Sequence, residues 1–468
     1  MNWPPNWSGS LEFTYNDYRG SKRPMRHIIL LILGFMLMEA GNIHGETQLT
    51  VDGVRQMALE YNRQYLSAER ELDRARGDII AARAGALPQV NIGGRYTRNI
   101  KKGEIFLPGE FFDEEGFVKV PAAQDNDFNL SLSLTQPLYV GGKVGSAIQI
   151  ARIYEKYSRE KVREVESQII YSAEALFYSS ILSASHLEVL EKAYLQFSHN
   201  YEIVEKYYSQ GMASEFELLR ARVEKSNLEP QLVAARTALS ITQKTLKSFL
   251  GLALDEPITL RTDITDTVAV MVPPLDSLTS AALHNRPEIK QAELQKRGYD
   301  KAVRIAKGDW LYPNINLNTS YDISASSDDF SLGSRDVTKS WTASLLLTIP
   351  VFDGGRTIGE VRKARVDYYQ AVLAEQQTQD DIRLEVEQAY DNLIQARAAL
   401  DLQKETIAQA EEGLRIANLR YESGVGTLLE VLSAQTALTD ARTNMAEAIY
   451  QYRLAKSALK KATGIAVF

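Results

Sequence analysis

The sequence contains one module twice, and this duplication limits the possible folds more than any other feature. Residues 137–251 match residues 350–464 at a constant offset of 213, without a gap. The stretch 137–143 reads PLYVGGK and its counterpart 350–356 reads PVFDGGR. Because one repeat is often only part of a closed structure, the duplication has to be recognised before a fold is assigned.

Upstream of these modules the match continues at a different offset. Residues 87–90 face residues 312–315 at an offset of 225, so 12 extra residues lie between Pro88 and Pro137. Surface loops tolerate such insertions because no backbone pairing is lost. We therefore expect the segment 99–127, rich in Gly, Pro, Asp and Glu, to be a loop between two strands.

The composition excludes several classes of protein. The chain has 468 residues, a net charge of −7 and no cysteine. No basic domain is available to neutralise phosphates, which argues against a nucleic-acid binder. The lack of cysteine removes disulfides, cysteine metal sites and thiol catalysis. It also removes the residue that carries a lipoprotein anchor, so we expect a protein that is not lipid-anchored.

The N-terminal region is typical of an export signal. Residues 28–38 form the only long apolar run, and three basic residues precede it. The run is too short to span a bilayer as a helix but suits the core of a signal peptide. A buried N-terminal helix is the alternative. We expect residues 1–45 to be an extension and a signal peptide, with Met1 or Met25 as the true start.

Four segments alternate between apolar and polar residues, which is typical of strands with one apolar and one wet face. They lie at about 88–98, 127–139, 313–323 and 340–351. Each is about ten residues long, the length of a tilted strand that crosses a bilayer. From the strands alone, a soluble sandwich is the alternative. The residues expected to face lipid are Phe128, Leu130, Leu132, Leu134, Trp341, Leu345 and Leu347.

Four strands are too few to close a membrane barrel. An open edge cannot face lipid because its N–H and C=O groups would have no hydrogen-bond partner. The smallest barrels of this kind have about eight strands. If these strands span a membrane, several chains must therefore share one barrel.

The rest of the sequence predicts unusually long helices. No proline occurs from Lys143 to Ser209 or from Thr357 to Glu422. A helix of about 65 residues is roughly 100 Å long, whereas helices in globular proteins average about a dozen residues. A seven-residue repeat within the second helix indicates close packing against neighbouring helices. The repeat consists of Val386, Leu393, Leu400, Ile407, Leu414 and Tyr421.

Each long helix is predicted to turn back through a tight hairpin. Gly211 and Gly424 interrupt the two helical patterns, and Ser214 and Thr427 follow three residues later. Glycine after a helix end and a hydroxyl residue before the next helix are the usual C-terminal and N-cap signals. Pro230 is expected to kink the first return helix.

These features together resemble the TolC-type outer-membrane efflux family, over residues 49 to 464. The most specific motifs are the turn pattern and the strand-to-helix junction with two glycines and a basic residue, each present twice. The turn pattern consists of Tyr208, Gly211, Ser214, Glu217 and Leu218, and again of Tyr421, Gly424, Thr427, Glu430 and Val431.

The resemblance implies an α+β fold in which a homotrimer shares a twelve-stranded transmembrane barrel and its helix hairpins form a tunnel across the periplasm. The implied function is that of a passive outer-membrane channel in a tripartite efflux or type I secretion system. Its implied partners are a periplasmic adaptor protein, an inner-membrane transporter and outer-membrane lipid. On this topology the 99–127 segment is extracellular, and the turns at Gly211, Ser214, Gly424 and Thr427 form the periplasmic end that meets the adaptor.

The resemblance also assigns candidate residues to a periplasmic gate. Glu217 and Glu430 fall on positions that carry aspartate in the best-known members, and Tyr421 matches a tyrosine used in the closing links. Gly426 and Ser433 depart from a linking arginine and a second ring aspartate of those members. An acid in the first turn of a helix also offsets the helix macrodipole, so that role is open for both glutamates.

Three regions are therefore expected. Residues 1–45 precede the mature protein. A first structural repeat, 46–274, contains the hairpin 143–250, and a second repeat, 275–468, contains the hairpin 357–462.

No pattern indicates an enzyme, a cofactor or a metal site. The five histidines lack metal-ligand spacing, and no nucleophile is placed with a base. The alternative function is a periplasmic coiled-coil scaffold or adaptor, which would carry one long hairpin and no lipid-facing strands.

Overall fold

The computed structural model describes residues 47–112, 115–261, 272–308, 312–330 and 337–465. The predicted signal segment, 1–45, lies outside the described residues. Two compact units are distinguished: Met1–Gln48 with Pro257–Thr259, and Leu49–Glu256 with Leu260–Phe468. Nearly all described residues belong to the second unit.

Helices account for most of the described residues. In chain order they are α1 (Val51–Tyr61), α2 (Arg63–Ala84), α3 (Lys143–Ser209), α4 (Glu215–Leu250), α5 (Leu275–Asn285), α6 (Pro287–Lys307), α7 (Arg356–Glu422) and α8 (Leu428–Thr463). The described strands are β1 (Thr47–Leu49), β2 (Gln89–Arg98), β3 (Glu104–Pro108), β4 (Phe117–Pro121), β5 (Asn126–Val140), β6 (Ile258–Leu260), β7 (Asn314–Ser327) and β8 (Val337–Thr348). The fold is therefore α+β and mostly helical.

The two longest helices, α3 and α7, contain 67 residues each. At about 1.5 Å per residue each is roughly 100 Å long. The return helices α4 and α8 contain 36 residues each, so they accompany only part of the outgoing helix. Pro230 lies inside α4, which continues on both sides of it. The kink at Pro230 stays a prediction.

The seven-residue repeat of α7 forms the centre of its packing interface. Val386, Leu393 and Leu400 are at most 4 % exposed and pack against α5 and α8. Small residues complete the seam, since Ala389 and Ala396 are also buried. Apolar burial at about 25 cal/mol per Å² is the main force that holds such helix pairs together. No helix in the described ranges has both the length and the apolar composition needed to cross a bilayer.

Four strands form one antiparallel sheet in the order β2-β5-β7-β8. Ile92 pairs with Leu132, Leu132 with Tyr321, and Tyr321 with Trp341, which places these four apolar side chains on one face. Within the ranges that the structure describes, only the inner two strands, β5 and β7, have a partner on each side. Both outer strands, β2 and β8, therefore present an unpaired edge.

The inserted segment has structure of its own. β3 and β4 form a separate hairpin, and a short 3-10 helix, Gly109–Phe112, lies between them. The Lys102 ammonium lies 2.7 Å from an Asp125 carboxylate oxygen and also pairs with Asp328, which follows β7. The segment expected to be a plain loop is thus an ordered hairpin tied to the next loop of the sheet.

Candidate functional site

The turns α3–α4 (210–214) and α7–α8 (423–427) lie side by side, and together they are named the tip. The rings of Tyr207 and Tyr421, one from each hairpin, have their centroids 6.4 Å apart. Leu428 and Leu432 of α8 pack into the apolar cluster formed by α3 and α4. The tip is therefore one surface built from both repeats.

Positive backbone angles explain the two turn glycines. Gly211 has φ 74° and Gly424 has φ 76°, in the left-handed region that favours glycine. Just beyond them, the Met212 amide donates to the Tyr207 carbonyl at 2.8 Å and the Val425 amide donates to the Arg420 carbonyl at 3.0 Å. These bonds satisfy carbonyl groups that a helix end leaves free.

Glu217 is used to cap its own helix. Its carboxylate accepts from the Ser214 backbone amide at 2.8 Å and from the Ser214 hydroxyl at 2.9 Å. The Ser214 hydroxyl oxygen in turn accepts from the Glu217 amide at 3.3 Å. This reciprocal arrangement is a capping box, so the Glu217 carboxylate is held against the start of α4.

Glu430 occupies the same place in the second repeat but has a different partner. The Thr427 hydroxyl oxygen accepts from the Glu430 amide at 3.3 Å, as in the first repeat. The Glu430 carboxylate instead reaches Arg420, whose Nε donates to it at 3.2 Å. Both side chains are about half exposed, so the pair is solvated and its net contribution to stability is about 0–1 kcal/mol.

Arg420 is a tip residue that the sequence patterns did not indicate. It lies on α7, ten residues before Glu430, and its counterpart in the first repeat is Tyr207. Its guanidinium also donates to the Val425 carbonyl at 3.4 Å. The unequal pair Tyr207 and Arg420 was the available signal, because a base replaces an aromatic residue where the other turn motif residues agree.

Gly426 is required by a close approach of the backbone. A Cβ there would lie 2.8 Å from the Arg420 Cβ, 2.9 Å from the Arg420 carbonyl carbon and 2.9 Å from the Tyr421 nitrogen. The Gly426 amide donates to the Arg420 carbonyl at 2.8 Å, and this bond holds the two backbone segments of the turn close together. The turn in this conformation therefore has no room for any side chain at position 426.

Tyr421 is half-buried between the two hairpins. Burial raises the pKa of its hydroxyl, and the nearby Glu217 and Tyr207 raise it further. The neutral phenol is therefore the favoured form over the whole physiological pH range. It can donate or accept a hydrogen bond, but it does not contribute charge to the tip.

The second candidate surface is the apolar face of the four-stranded sheet. Trp341 is 79 % exposed, and Leu130, Leu132, Leu345 and Leu347 are also exposed. Phe128 and Leu134 are half-buried on the same face. A broad exposed apolar surface on a single chain is typical of contact with a membrane or with another protein.

No group of His, Cys, Asp and Glu suited to a metal ion occurs in the described part of the chain. Open grooves lie between the helices, such as the one of 600 Å³ that includes Arg55, Glu174 and Lys460. The buried Glu174 carboxylate lies 2.5 Å from Nε of Arg55, and this ion pair compensates the negative charge of Glu174. The Arg55 and Glu174 charges of this groove are therefore paired with each other.

Comparisons with known proteins agree on one family. The family model described as "Outer membrane efflux protein" matches residues 54–252 and 278–465. The outer membrane protein TolC of Escherichia coli (strain K12) is 21 % identical over 459 residues, covering 94 % of this chain and 87 % of TolC. The probable outer membrane lipoprotein SilC of Salmonella typhimurium is 23 % identical over 411 residues, covering 87 % of this chain and 84 % of SilC.

Solved structures show the same fold. The CmeC outer membrane channel of Campylobacter jejuni superposes with a TM-score of 0.75 at 19 % identity, covering 88 % of this chain and 85 % of CmeC. A crystal structure of CusC gives a TM-score of 0.74 at 20 % identity, covering 88 % of this chain and 92 % of CusC. The arrangement of long hairpins and a four-stranded sheet is thus shared with these channels.

Proposed function

The chain belongs to the outer membrane efflux protein family, and from this premise we propose that three copies form a passive duct through the outer membrane. The observation that carries the proposal is the four-stranded sheet with one exposed apolar face and two unpaired edges. Edges cannot remain unpaired in lipid. Three such sheets joined edge to edge give twelve strands, an even number within the range of known outer-membrane barrels.

The long hairpins supply the second part of the duct. Their outgoing helices, α3 and α7, start at one end of the sheet and extend from it by roughly 100 Å. In the assembled duct they enclose the periplasmic path, and the tip forms its entrance. An adaptor protein and an inner-membrane transporter are the partners, and the turns at Gly211 and Gly424 are part of the surface that meets the adaptor.

The tip acts as the gate of this duct. Glu430 contributes one carboxylate per chain to a ring at the entrance, Glu217 contributes to the same field from its capping position, and Tyr421 helps to hold the two hairpins together. A ring of carboxylates around a narrow axis favours cations and disfavours anions. Arg420 reduces this effect because its positive charge lies beside Glu430.

Single-channel recordings in planar bilayers test the duct and its gate together. Glu430→Gln should lower the preference for cations because it removes a negative charge from the ring. Arg420→Gln should raise that preference because it leaves the Glu430 carboxylate without its local counter-charge. The control is Glu387→Gln, which replaces an exposed acid near α5 in the middle of α7. It should leave the preference for cations unchanged.

The outcome that contradicts the gate is equal selectivity in Glu430→Gln, Arg420→Gln and the control. The outcome that contradicts the duct is a monomer in mild detergent that forms no channels. A coiled-coil scaffold would wash off membranes in high salt, whereas the duct should stay in the detergent-soluble outer-membrane fraction. The family match favours the duct over the scaffold.

A further inference from the structure

A dense group of basic residues lies where the helices meet the sheet. Because the strands are antiparallel in the order β2-β5-β7-β8, the starts of β2 and β7 and the finishes of β5 and β8 lie at one end. The three helical turns nearest this end come from α2, α3, α6 and α7 and are together named the collar. The collar consists of residues 74–84, 143–153, 297–307 and 356–366.

The collar is strongly positive in a negative chain. It contains thirteen Lys or Arg and three Asp or Glu, a net charge of +10, whereas the whole chain has −7. All of its bases are exposed except Lys143 and Lys301, which are half-buried. Several make no ion pair with any residue that the structure describes, namely Arg83, Arg152, Lys307, Arg362 and Arg365.

Helix stability explains only half of this charge. Bases near the C-terminal ends of α2 and α6 offset the helix macrodipole. At α3 and α7, however, Lys143 and Arg356 are the first residues, and neither helix has an acid in its first turn. A base at a helix N-terminus opposes the macrodipole. The start of α7 is instead capped by the Asp353 carboxylate, which accepts from the Thr357 amide at 2.8 Å.

The collar directly follows the end of the apolar face. Tyr139 lies in the last residues of β5, and Val351 and Phe352 lie between β8 and the collar. Val351 and Phe352 are 84 % and 89 % exposed. Aromatic residues at the end of an apolar face are typical of the boundary between a membrane and water. The headgroup layer beyond this boundary is about 5–7 Å thick on each side. The first collar turns reach it, and the others lie within about two screening lengths of 8–10 Å.

Resting on the proposed duct, we propose that the collar binds the phosphate groups of anionic phospholipids in the leaflet that faces the helices. Arginine suits this partner because its planar guanidinium donates two parallel hydrogen bonds to a phosphate. The apolar face fixes the chain in the hydrocarbon layer, and the collar fixes its depth and its preferred lipid.

Quenching of tryptophan fluorescence by brominated lipids measures this preference in reconstituted vesicles. Trp341 lies on the apolar face and reports which lipid surrounds it. We expect brominated phosphatidylglycerol to associate about fivefold more strongly than brominated phosphatidylcholine, the factor contributed by one base near an anionic surface. High salt should reduce the ratio because these charges are exposed.

Two triple variants of the intact protein, equal in charge, separate the collar from general electrostatics. The combination Lys307→Gln, Arg356→Gln and Arg362→Gln should clearly lower the ratio, because it removes three of the thirteen collar bases. The combination Arg383→Gln, Lys404→Gln and Arg415→Gln removes three exposed bases from α7 far from the sheet and should leave the ratio unchanged. A third variant, Lys307→Arg, Arg356→Lys and Arg362→Lys, keeps the charge and should give a ratio well above that of the first combination.

Three results would overturn the proposal. Equal quenching by the two lipids in the unmodified protein refutes the binding of anionic phospholipids by the collar, but it is consistent with the proposed duct. A ratio that persists in the first triple variant assigns the preference to other residues. Quenching by neither lipid shows that the apolar face does not meet the membrane, which refutes the proposed duct as well.

Discussion

Replacing Gly426 with alanine should loosen the tip without unfolding the hairpins. The added Cβ would lie 2.8–2.9 Å from three atoms of Arg420 and Tyr421, two of which belong to the backbone. Carbon atoms prefer separations of about 3.5–4.0 Å. Because a backbone atom cannot rotate away, the turn itself must move by several tenths of an ångström.

The expected cost follows from the contacts that this movement disturbs. Overpacking costs about 1–3 kcal/mol, and weakening the bond from the Gly426 amide to the Arg420 carbonyl costs about 1 kcal/mol. Reduced freedom of the unfolded chain offsets about 0.4–1 kcal/mol of this. A net cost of about 1–3 kcal/mol raises the open population of the tip by a factor of about 5 to 150.

Amide hydrogen exchange of the peptide that spans the turn measures this population directly. Ala213 holds the equivalent position in the first repeat, where its amide lies 3.3 Å from the Tyr207 carbonyl and a Cβ is accommodated. The control Ala213→Gly should therefore change exchange at its own turn far less. If Gly426→Ala exchanges at the unmodified rate, the close approach at this turn does not constrain the tip.

Three further changes address the sheet, the insertion and the tip. Leu132→Arg should cost about 2–4 kcal/mol if the position lies near the bilayer midplane and abolish assembly on native gels, whereas Thr135→Arg on the wet face should assemble normally. An epitope inserted near Gly109 should bind antibody on intact cells. If the antibody binds only after the outer membrane is disrupted, the predicted extracellular position of this segment is wrong. Burial raises the pKa of Tyr421, so its neutral form stabilises the tip fully below the pKa of an unfolded tyrosine, about 10. This contribution is lost as pH rises through the higher folded pKa, and tyrosinate absorbance of the protein minus that of Tyr421→Phe should show the raised midpoint.

Much of the architecture is predictable because its signals are local. A glycine followed three residues later by Ser214 or Thr427 marks a helix end and a new helix start within seven residues of sequence. The strict alternation of Leu130 and Leu132 with serine marks one face of a strand in the same local way. The seven-residue repeat through Val386 predicts a buried seam because helical geometry brings these positions to one side.

The details of the tip depend on contacts that local patterns do not contain. Glu217 and Glu430 have the same position and neighbours of the same type, yet one caps its helix and the other meets Arg420. That difference arises from which side chain the opposite arm of each hairpin supplies. Gly426 is a departure from the family motif in sequence, and its steric reason exists only in the folded turn. The collar likewise requires the strand order, which brings four separate helix ends together.

The unpaired edges of β2 and β8 also have a consequence for the timing of maturation. The helix hairpins form from contacts between neighbouring segments, which are fast, whereas in the proposed duct a sheet shared by several chains waits for encounters between them. For that duct, the rate at which the sheet is completed should rise with chain concentration, and a newly made chain should spend its longest interval with the edge amides of β2 and β8 open to any extended peptide. Slow synthesis of the protein should lengthen the interval in which these edges are exposed. Chaperones that cover strand edges should therefore matter most at low expression.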